Sequence, residues 1–198
     1  MLPGEPRKAT VCTLVSNDGL PTMTTTPFSP STTPADWRRA IERFVRVVPH
    51  TQDLGLEVLA VTPPLVRMRL PWSDALLGDT HRGLIHGGVL SMTLDTLCGG
   101  SVLCGLLEPE VCPTLDLRVD HYRPALGGMA IFGEARVVHV TESMVFTEGT
   151  LWQQEGKPIA RGIANFVRLG PRNTPPGFAA ALFGEVTEQP GEQPTEEA

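Results

Sequence analysis

A long apolar run between Val89 and Leu107 predicts a helix that is buried on every side. Its only ionisable groups are the carboxyl of Asp95 and two cysteine thiols, so the run is too apolar for a surface helix that buries a single stripe. Asp95 near the middle and several glycines leave an uninterrupted apolar stretch shorter than the roughly 20 residues that a bilayer requires. We therefore expect a core helix surrounded by protein rather than a membrane span.

Alternating apolar and polar positions predict strands on both sides of this helix. Before it, two strand patterns are separated by Thr62-Pro63-Pro64, which is a turn because proline cannot donate to a strand ladder. A short helix with Asp36 as its N-cap precedes them. The strands are predicted at residues 54–61, 65–70, 114–122, 129–140, 143–153 and 158–169, with residues 71–85 as a loop. Long antiparallel strands around one apolar helix indicate an α+β domain whose sheet wraps the helix.

The two ends of the chain differ in composition from this domain. Residues 1–35 contain six prolines and a Thr/Ser-rich patch, which predicts a disordered leader. Residues 170–198 are rich in proline and glutamate and should be mostly disordered, although the apolar patch at 178–183 could dock on the domain. The folded domain is therefore expected at residues 36–169.

Composition and charge narrow the class of protein. The chain has 198 residues, of which 41% are hydrophobic and 19% charged, as in a soluble protein with one core. A net charge of −6 argues against a general affinity for nucleic acid or for an anionic membrane. The N-terminus has no apolar signal segment and the four cysteines have no metal-binding spacing, so we expect a cytoplasmic protein with reduced thiols.

The start of the apolar helix carries the first candidate chemistry. His86-Gly87-Gly88 leaves free N–H groups and the positive end of the helix dipole open to an incoming oxygen, so it predicts a carbonyl-polarising site. Asp95 alone would fit a structural carboxylate and a catalytic one equally well. The glycine-marked helix start favours the catalytic interpretation.

The spacing of these two features predicts a site shared between two copies of the chain. Gly87 and Asp95 are eight residues apart, so on one helix they are separated by roughly 12 Å along the axis and about 80° around it. One thioester carbonyl cannot contact both. If both serve one reaction, they must come from different protomers of a homodimer or homotetramer.

The segments HGGVLSMTLDT and TLDLRVDHYRPALGG resemble the hotdog-fold acyl-CoA thioesterases of the phenylacetate-degradation (PaaI-like) group, over roughly residues 50–169. The resemblance implies a single hotdog fold and hydrolysis of an acyl-CoA thioester. It assigns Asp95 the role of activating water or attacking the thioester carbon. It gives Thr114 the role of orienting the water, although an ordinary β-branched strand residue is an equally good interpretation of that position.

The same resemblance indicates the substrate-binding residues. Many relatives have an Asn six residues before the motif histidine, where this chain has Thr80. In those relatives the Asn helps to hold the thioester oxygen, and Thr80 could donate a hydrogen bond there. His86 could polarise the substrate or fix the turn that presents the Gly87 amide, and we favour the second role. The expected substrate-binding residues are Thr80, His81, Arg82, Gly88 and Arg123, of which His81, Arg82 and Arg123 lie where the rim could contact the phosphates of coenzyme A. His121 and His139 are expected to be surface or packing residues.

No motif in the sequence indicates a metal or a nucleotide cofactor, so none is expected. Two alternatives to the thioesterase remain open. One is an enoyl-CoA hydratase or dehydratase on the same fold, and the other is a non-catalytic acyl-CoA-binding module. The acyl group could be aromatic or a medium-length aliphatic chain, because the apolar residues around Asp95 suit either.

Overall fold

A computed structural model of the protein describes residues 32–184. Most of the predicted leader and the end of the predicted tail lie outside the described residues. The helices are α1 (Pro34–Val47), α2 (Pro49–Asp53), α3 (Gly87–Gly105) and α4 (Phe178–Phe183). The strands are β1 (Glu57–Thr62), β2 (Leu65–Leu70), β3 (Leu77–Asp79), β4 (Leu84–Ile85), β5 (Thr114–His121), β6 (Ile131–Val140), β7 (Met144–Gln154) and β8 (Lys157–Val167).

Six of these strands form one antiparallel sheet in the order β1-β2-β6-β7-β8-β5. The sheet packs on α3, so the predicted α+β architecture is confirmed. The remaining two strands, β3 and β4, pair with each other within residues 71–85. That segment was expected to be a plain loop, but backbone pairing turns it into a short hairpin next to the start of α3.

Buried and more exposed residues alternate along β2, as the sequence predicts. Val66, Met68 and Leu70 are buried beneath the sheet, whereas Arg67 and Arg69 lie on the outer face. The two arginines form ion pairs at 2.9 Å with glutamates on the neighbouring strands. The outer face is therefore a solvated, charged surface and the inner face belongs to the core.

Three glycines let α3 approach the centre of the sheet, and we call them the helix-facing glycines: Gly133, Gly149 and Gly162. A Cβ added at Gly133 would lie 2.5 Å from the side chain of Leu97, and one at Gly149 or Gly162 would lie 3.1 or 3.2 Å from Leu94. A larger residue would push the helix away, because real Cβ atoms rarely come so close to another heavy atom. The glycines thus provide the space that the two leucines fill.

The prediction that α3 is surrounded by protein is wrong for the single chain. Leu94, Leu97 and Cys98 are fully buried, but Asp95 and Thr96 are only partly buried. The sheet and α1 cover part of the helix circumference and leave one side open. Although α3 is long and apolar enough to cross a membrane, most of it is buried inside the domain. Burial raises the pKa of the Cys98 thiol to about 12, which keeps it neutral in the core.

The start of α1 corrects a second expectation. Thr33, not Asp36, is the N-cap, and Asp36 completes a capping box by accepting a hydrogen bond from the Thr33 N–H at 2.8 Å. Pro34 at the first helical position favours this start, because its missing N–H and fixed φ suit the first turn.

At the other end of the described chain, α4 packs on α1, as predicted for residues 178–183. The rings of Trp37 and Phe183 are 5.0 Å apart.

Candidate active site

The start of α3 is held by His86, which serves as its N-cap. The Gly88 N–H donates a hydrogen bond to His86 Nδ1 at 3.0 Å, and the His86 N–H donates to the Leu76 carbonyl at 2.9 Å. A Cβ at Gly78 would lie 2.8 Å from His86 Cα, so only glycine fits against the histidine there. This geometry matches the turn-fixing role that the sequence favoured for His86.

The Gly87 N–H is left available at this helix start. Among residues 32–184 it meets no hydrogen-bond acceptor, whereas the Gly88 N–H is already bound to His86. Gly87 is exposed and stands at the positive end of the α3 dipole. A carbonyl oxygen that reached this point would find one free amide and a favourable field.

A shallow depression beside Gly87 contains His121 and Arg123. A Cβ at Gly87 would lie 3.7 Å from His121 Cε1, so the imidazole is a direct neighbour of the free amide. Arg123 donates a hydrogen bond to the Pro158 carbonyl at 2.6 Å, which fixes its guanidinium at the rim. The sequence placed Arg123 here but gave His121 only a surface or packing role. Nothing in the local pattern marks His121, because its contact with Gly87 depends on how β5 lies along α3.

Asp95 lies at the other end of the same stretch of helix and is held by Thr114. The Thr114 hydroxyl donates a hydrogen bond to Asp95 Oδ1 at 2.9 Å. The structure therefore brings together the two residues that the sequence proposed as acid and orienting group. The carboxylate is partly exposed rather than hidden, because the side of α3 that carries it is the open one.

An apolar cavity of about 440 Å³ leads away from this pair. Its volume lies within the roughly 300–1,000 Å³ of typical small-molecule sites. One wall is a stripe of α3 that contains Met92, Thr96, Gly99 and Leu103, at the spacing of a single helix face. The lining also includes aromatic rings from α1, β8 and α4, namely Phe44, Phe166 and Phe178. The cavity can accommodate an apolar chain whose reactive end lies at Asp95.

The remaining predicted rim residues lie on the hairpin before α3. Thr80, His81 and Arg82 form its exposed turn, where the Arg82 N–H donates to Asp79 Oδ1 at 3.0 Å. The base of this hairpin is tied to the helix start through the Leu76 carbonyl. Within residues 32–184, no group of three His, Cys, Asp or Glu side chains is close enough to hold a metal ion.

Comparison with known proteins finds a family model that matches the residues of this site. The family model described as "Thioesterase superfamily" matches residues 82–160, which include the start of α3, Asp95 and Thr114. Over this segment the chain resembles the thioesterase superfamily. The predicted resemblance to hotdog-fold thioesterases is therefore confirmed, and the predicted enzyme class, a thioester hydrolase, agrees with this match.

Individual proteins resemble the chain over different lengths. A solved structure from Pseudomonas aeruginosa is 38% identical, with a TM-score of 0.61, and the match covers 67% of this chain and 99% of that one. PaaI of E. coli, from the phenylacetic acid degradation operon, is 16% identical and shares the fold with a TM-score of 0.62, over 70% of this chain and 97% of PaaI. The medium/long-chain acyl-CoA thioesterase YigI of Salmonella typhimurium is 30% identical over 43% of this chain and 64% of its own length.

Proposed function

We propose that the protein is an acyl-CoA thioesterase that hydrolyses the thioester of a medium-chain acyl-CoA. The observation that carries the proposal is the carboxylate of Asp95, which is oriented by Thr114 and lines an apolar cavity within the segment that matches the thioesterase superfamily. The similar protein YigI is named a medium/long-chain acyl-CoA thioesterase, which favours an aliphatic acyl group over an aromatic one.

Asp95 is the group that acts on the thioester in this proposal. It either takes a proton from a water that attacks the thioester carbon or attacks that carbon itself, and in both cases the coenzyme A sulfur leaves and is protonated. The Thr114 hydroxyl donates a hydrogen bond to Oδ1 of Asp95. It therefore orients the carboxylate and leaves Oδ2 for the reacting group. The free Gly87 amide stabilises negative charge on the thioester oxygen. Arg123, His81 and Arg82 lie where phosphates of coenzyme A could be bound.

The two halves of the site come from two protomers. β5 runs along α3 in the opposite direction, since Thr114 lies beside Asp95 and His121 lies beside Gly87. If two β5 strands paired antiparallel about a two-fold axis through their centres, Thr114 of one copy would face His121 of the partner subunit. Asp95 would then approach Gly87 of the partner subunit. β5 is an edge strand, and its Leu115 is 64% exposed in the single chain, as expected for an unpaired interface.

The activity is tested by thiol release over a panel of straight-chain acyl-CoAs from butanoyl to palmitoyl, together with phenylacetyl-CoA. We expect the highest kcat/KM for a medium chain, because the cavity is mainly apolar and its volume of about 440 Å³ limits the length of chain that it can hold. Absence of thiol release from every member of the panel would contradict the proposed function.

Sharing of the site is tested by mixing two inactive variants, Asp95→Asn and Gly87→Val. The valine is expected to fill the depression beside the helix start without disturbing the fold, since a Cβ there makes only ordinary contacts. In a mixed dimer one of the two sites contains both native residues, so random mixing should restore about a quarter of the wild-type activity. If each site were built within one chain, mixing would restore none. Sedimentation of the wild-type protein provides the accompanying measure of its oligomeric state.

A further inference from the structure

The imidazole of His121 is a polar group without a partner beside the start of α3. His121 is exposed and, together with Gly87 and Arg123, lines the shallow depression at that helix start. Among residues 32–184 its side chain has no hydrogen-bond partner and forms no ion pair. A neutral imidazole carries one N–H donor and one acceptor, so His121 can offer either to a molecule that enters the depression.

His121 lies on the side of Gly87 toward which the free amide points. A Cβ added at Gly87 would be 3.7 Å from His121 Cε1 and 4.0 Å from Nε2. The Cα–Cβ direction of a helical residue is tilted toward the helix N-terminus, and the free N–H groups of the first turn point the same way. A Cβ and the amide nitrogen of one residue are about 2.5 Å apart, so Nε2 is at most about 6.5 Å from the Gly87 nitrogen. Two N–H donors that share one oxygen at about 2.9 Å each are up to roughly 5.8 Å apart, so a small rotation of the exposed imidazole brings both to one oxygen.

The other donors near this point are held elsewhere. The Gly88 N–H is bound within the helix cap, and the Arg123 guanidinium donates to the Pro158 carbonyl. Thr80, which the sequence suggested as a contact to the thioester oxygen, is not among the described residues that line the depression. Oxyanion sites combine preorganised donors from backbone amides and side chains, histidine among them. His121 is therefore the donor that can complete a site with one free amide.

Resting on the thioesterase function, we propose that His121 is a catalytic residue whose Nε2–H donates a hydrogen bond to the thioester oxygen, beside the Gly87 N–H of the same chain. Negative charge builds on this oxygen as the thioester carbon becomes tetrahedral, so both hydrogen bonds strengthen in the transition state. The charge returns to the carbon–oxygen double bond when the coenzyme A sulfur leaves. His121 transfers no proton, and Asp95 keeps the role described above.

The kinetic test compares two replacements of His121. Leucine removes the donor, so kcat should fall about tenfold or more, whereas KM should change less because charge on the oxygen develops only in the transition state. Glutamine reaches about as far and retains an N–H donor, so His121→Gln should keep most of the activity. The matched control is His139→Leu, at an exposed histidine of β6 that does not line the depression. Wild-type kcat in His121→Leu, or equal losses in the leucine and glutamine variants, would overturn the proposal.

Two unreactive substrate analogues test the contact itself. In the ketone analogue a CH2 group replaces the sulfur and the carbonyl oxygen is kept, whereas the S-alkyl thioether of coenzyme A has the same chain length but no carbonyl oxygen. His121→Leu should weaken binding of the ketone roughly three- to tenfold, the value of one hydrogen bond, and leave binding of the thioether unchanged. Calorimetry measures both. Equal changes for the two analogues, or no change for either, would contradict a contact between His121 and the oxygen.

The analogue test requires no catalysis, so it separates this inference from the proposed activity. A ketone-specific effect of His121→Leu without hydrolysis of any thioester would support the oxygen contact and contradict the thioesterase function. Hydrolysis with no dependence on His121 would leave the function standing and overturn this inference. The melting temperature of each variant should match that of the wild type, since His121 is exposed. If His121→Leu did not fold, His121→Ala would take its place in both assays.

Discussion

Two sides of the middle of α3 differ in burial and in chemistry. Leu94 faces the sheet, is fully buried and fills the space above Gly149 and Gly162. Asp95, the next residue, faces the open side and accepts a hydrogen bond from Thr114. One step along the helix therefore crosses from the core to the candidate active site. The sheet side stabilises the fold through dense packing, whereas the open side carries the hydrogen-bonded pair of Asp95 and Thr114.

The largest expected effect is on the open side. Asp95→Asn should reduce kcat by roughly 10²–10⁴-fold, because the amide can neither accept the proton of water nor attack the thioester carbon. Its melting temperature should stay close to that of the wild type, since Asp95 is only partly buried. Thiol release and thermal unfolding measure the two effects. Activity within a few-fold of the wild type would remove Asp95 from the mechanism.

Leu94→Ala should produce the reverse pattern. Removing a fully buried side chain that packs on the helix-facing glycines should lower the free energy of unfolding by about 2–5 kcal/mol. Activity per folded molecule should change much less, provided that the assay is run well below the transition. Denaturant unfolding measures the loss. A variant as stable as the wild type would show that α3 does not rest on the sheet as described.

Gly133→Ala tests the sheet side by adding an atom instead of removing some. The new Cβ would lie 2.5 Å from both Leu97 and Leu151, which are fully buried and have little room to move. We expect a loss of about 1–3 kcal/mol in unfolding free energy, as in other overpacked cores. Gly99→Ala is the matched control on the open side, where the added Cβ makes only an ordinary contact 3.5 Å from Phe44. It should be neutral or stabilising, because alanine favours a helix over glycine.

Thr114→Val should have a smaller effect, again on the open side. Valine keeps the branched shape but cannot donate to Asp95 Oδ1, so kcat should fall roughly three- to tenfold, the value of one ordinary hydrogen bond. Thr114→Ser, which retains the hydroxyl, should preserve most of the activity. If valine and serine variants behaved alike, Thr114 would be an ordinary strand residue.

The smallest expected effect belongs to the outer face of the sheet. Burial alone would raise the pKa of Glu148, but hydrogen bonds and charges from Arg136 and Arg161 lower it below its ordinary value of 4.5. The ionised carboxylate therefore stabilises the fold above that value, and this stabilisation is lost as the pH falls through the lowered pKa. The difference in melting temperature between the wild type and Glu148→Gln should shrink below about pH 4.5. A constant difference across that range would contradict the assignment.

Most secondary structure could be predicted because it depends on local patterns. The apolar run gave α3, and alternation gave the strands to within a few residues at each end. The helix-facing glycines had a signal that was not used, since glycine inside a strand pattern often marks a close approach of another element. Thr33 was missed as a cap because Asp36, three residues later, is also a good capping residue, and only the helix geometry distinguishes them.

The candidate site was only partly predictable for a different reason. Asp95 and the His86-Gly87 turn stand out in the sequence because a lone acid and paired glycines are unusual within an apolar run. His121 does not stand out, since its contact with Gly87 depends on the path of β5, which no local pattern records.

The sequence by itself determined which segments are helical or extended and which residues could carry chemistry, because periodicity and residue type act over a few neighbouring positions. Only the tertiary structure decided which side of α3 is open and that Thr114 reaches Asp95. Those features depend on contacts between distant segments, and such contacts form only when the sheet closes around the helix.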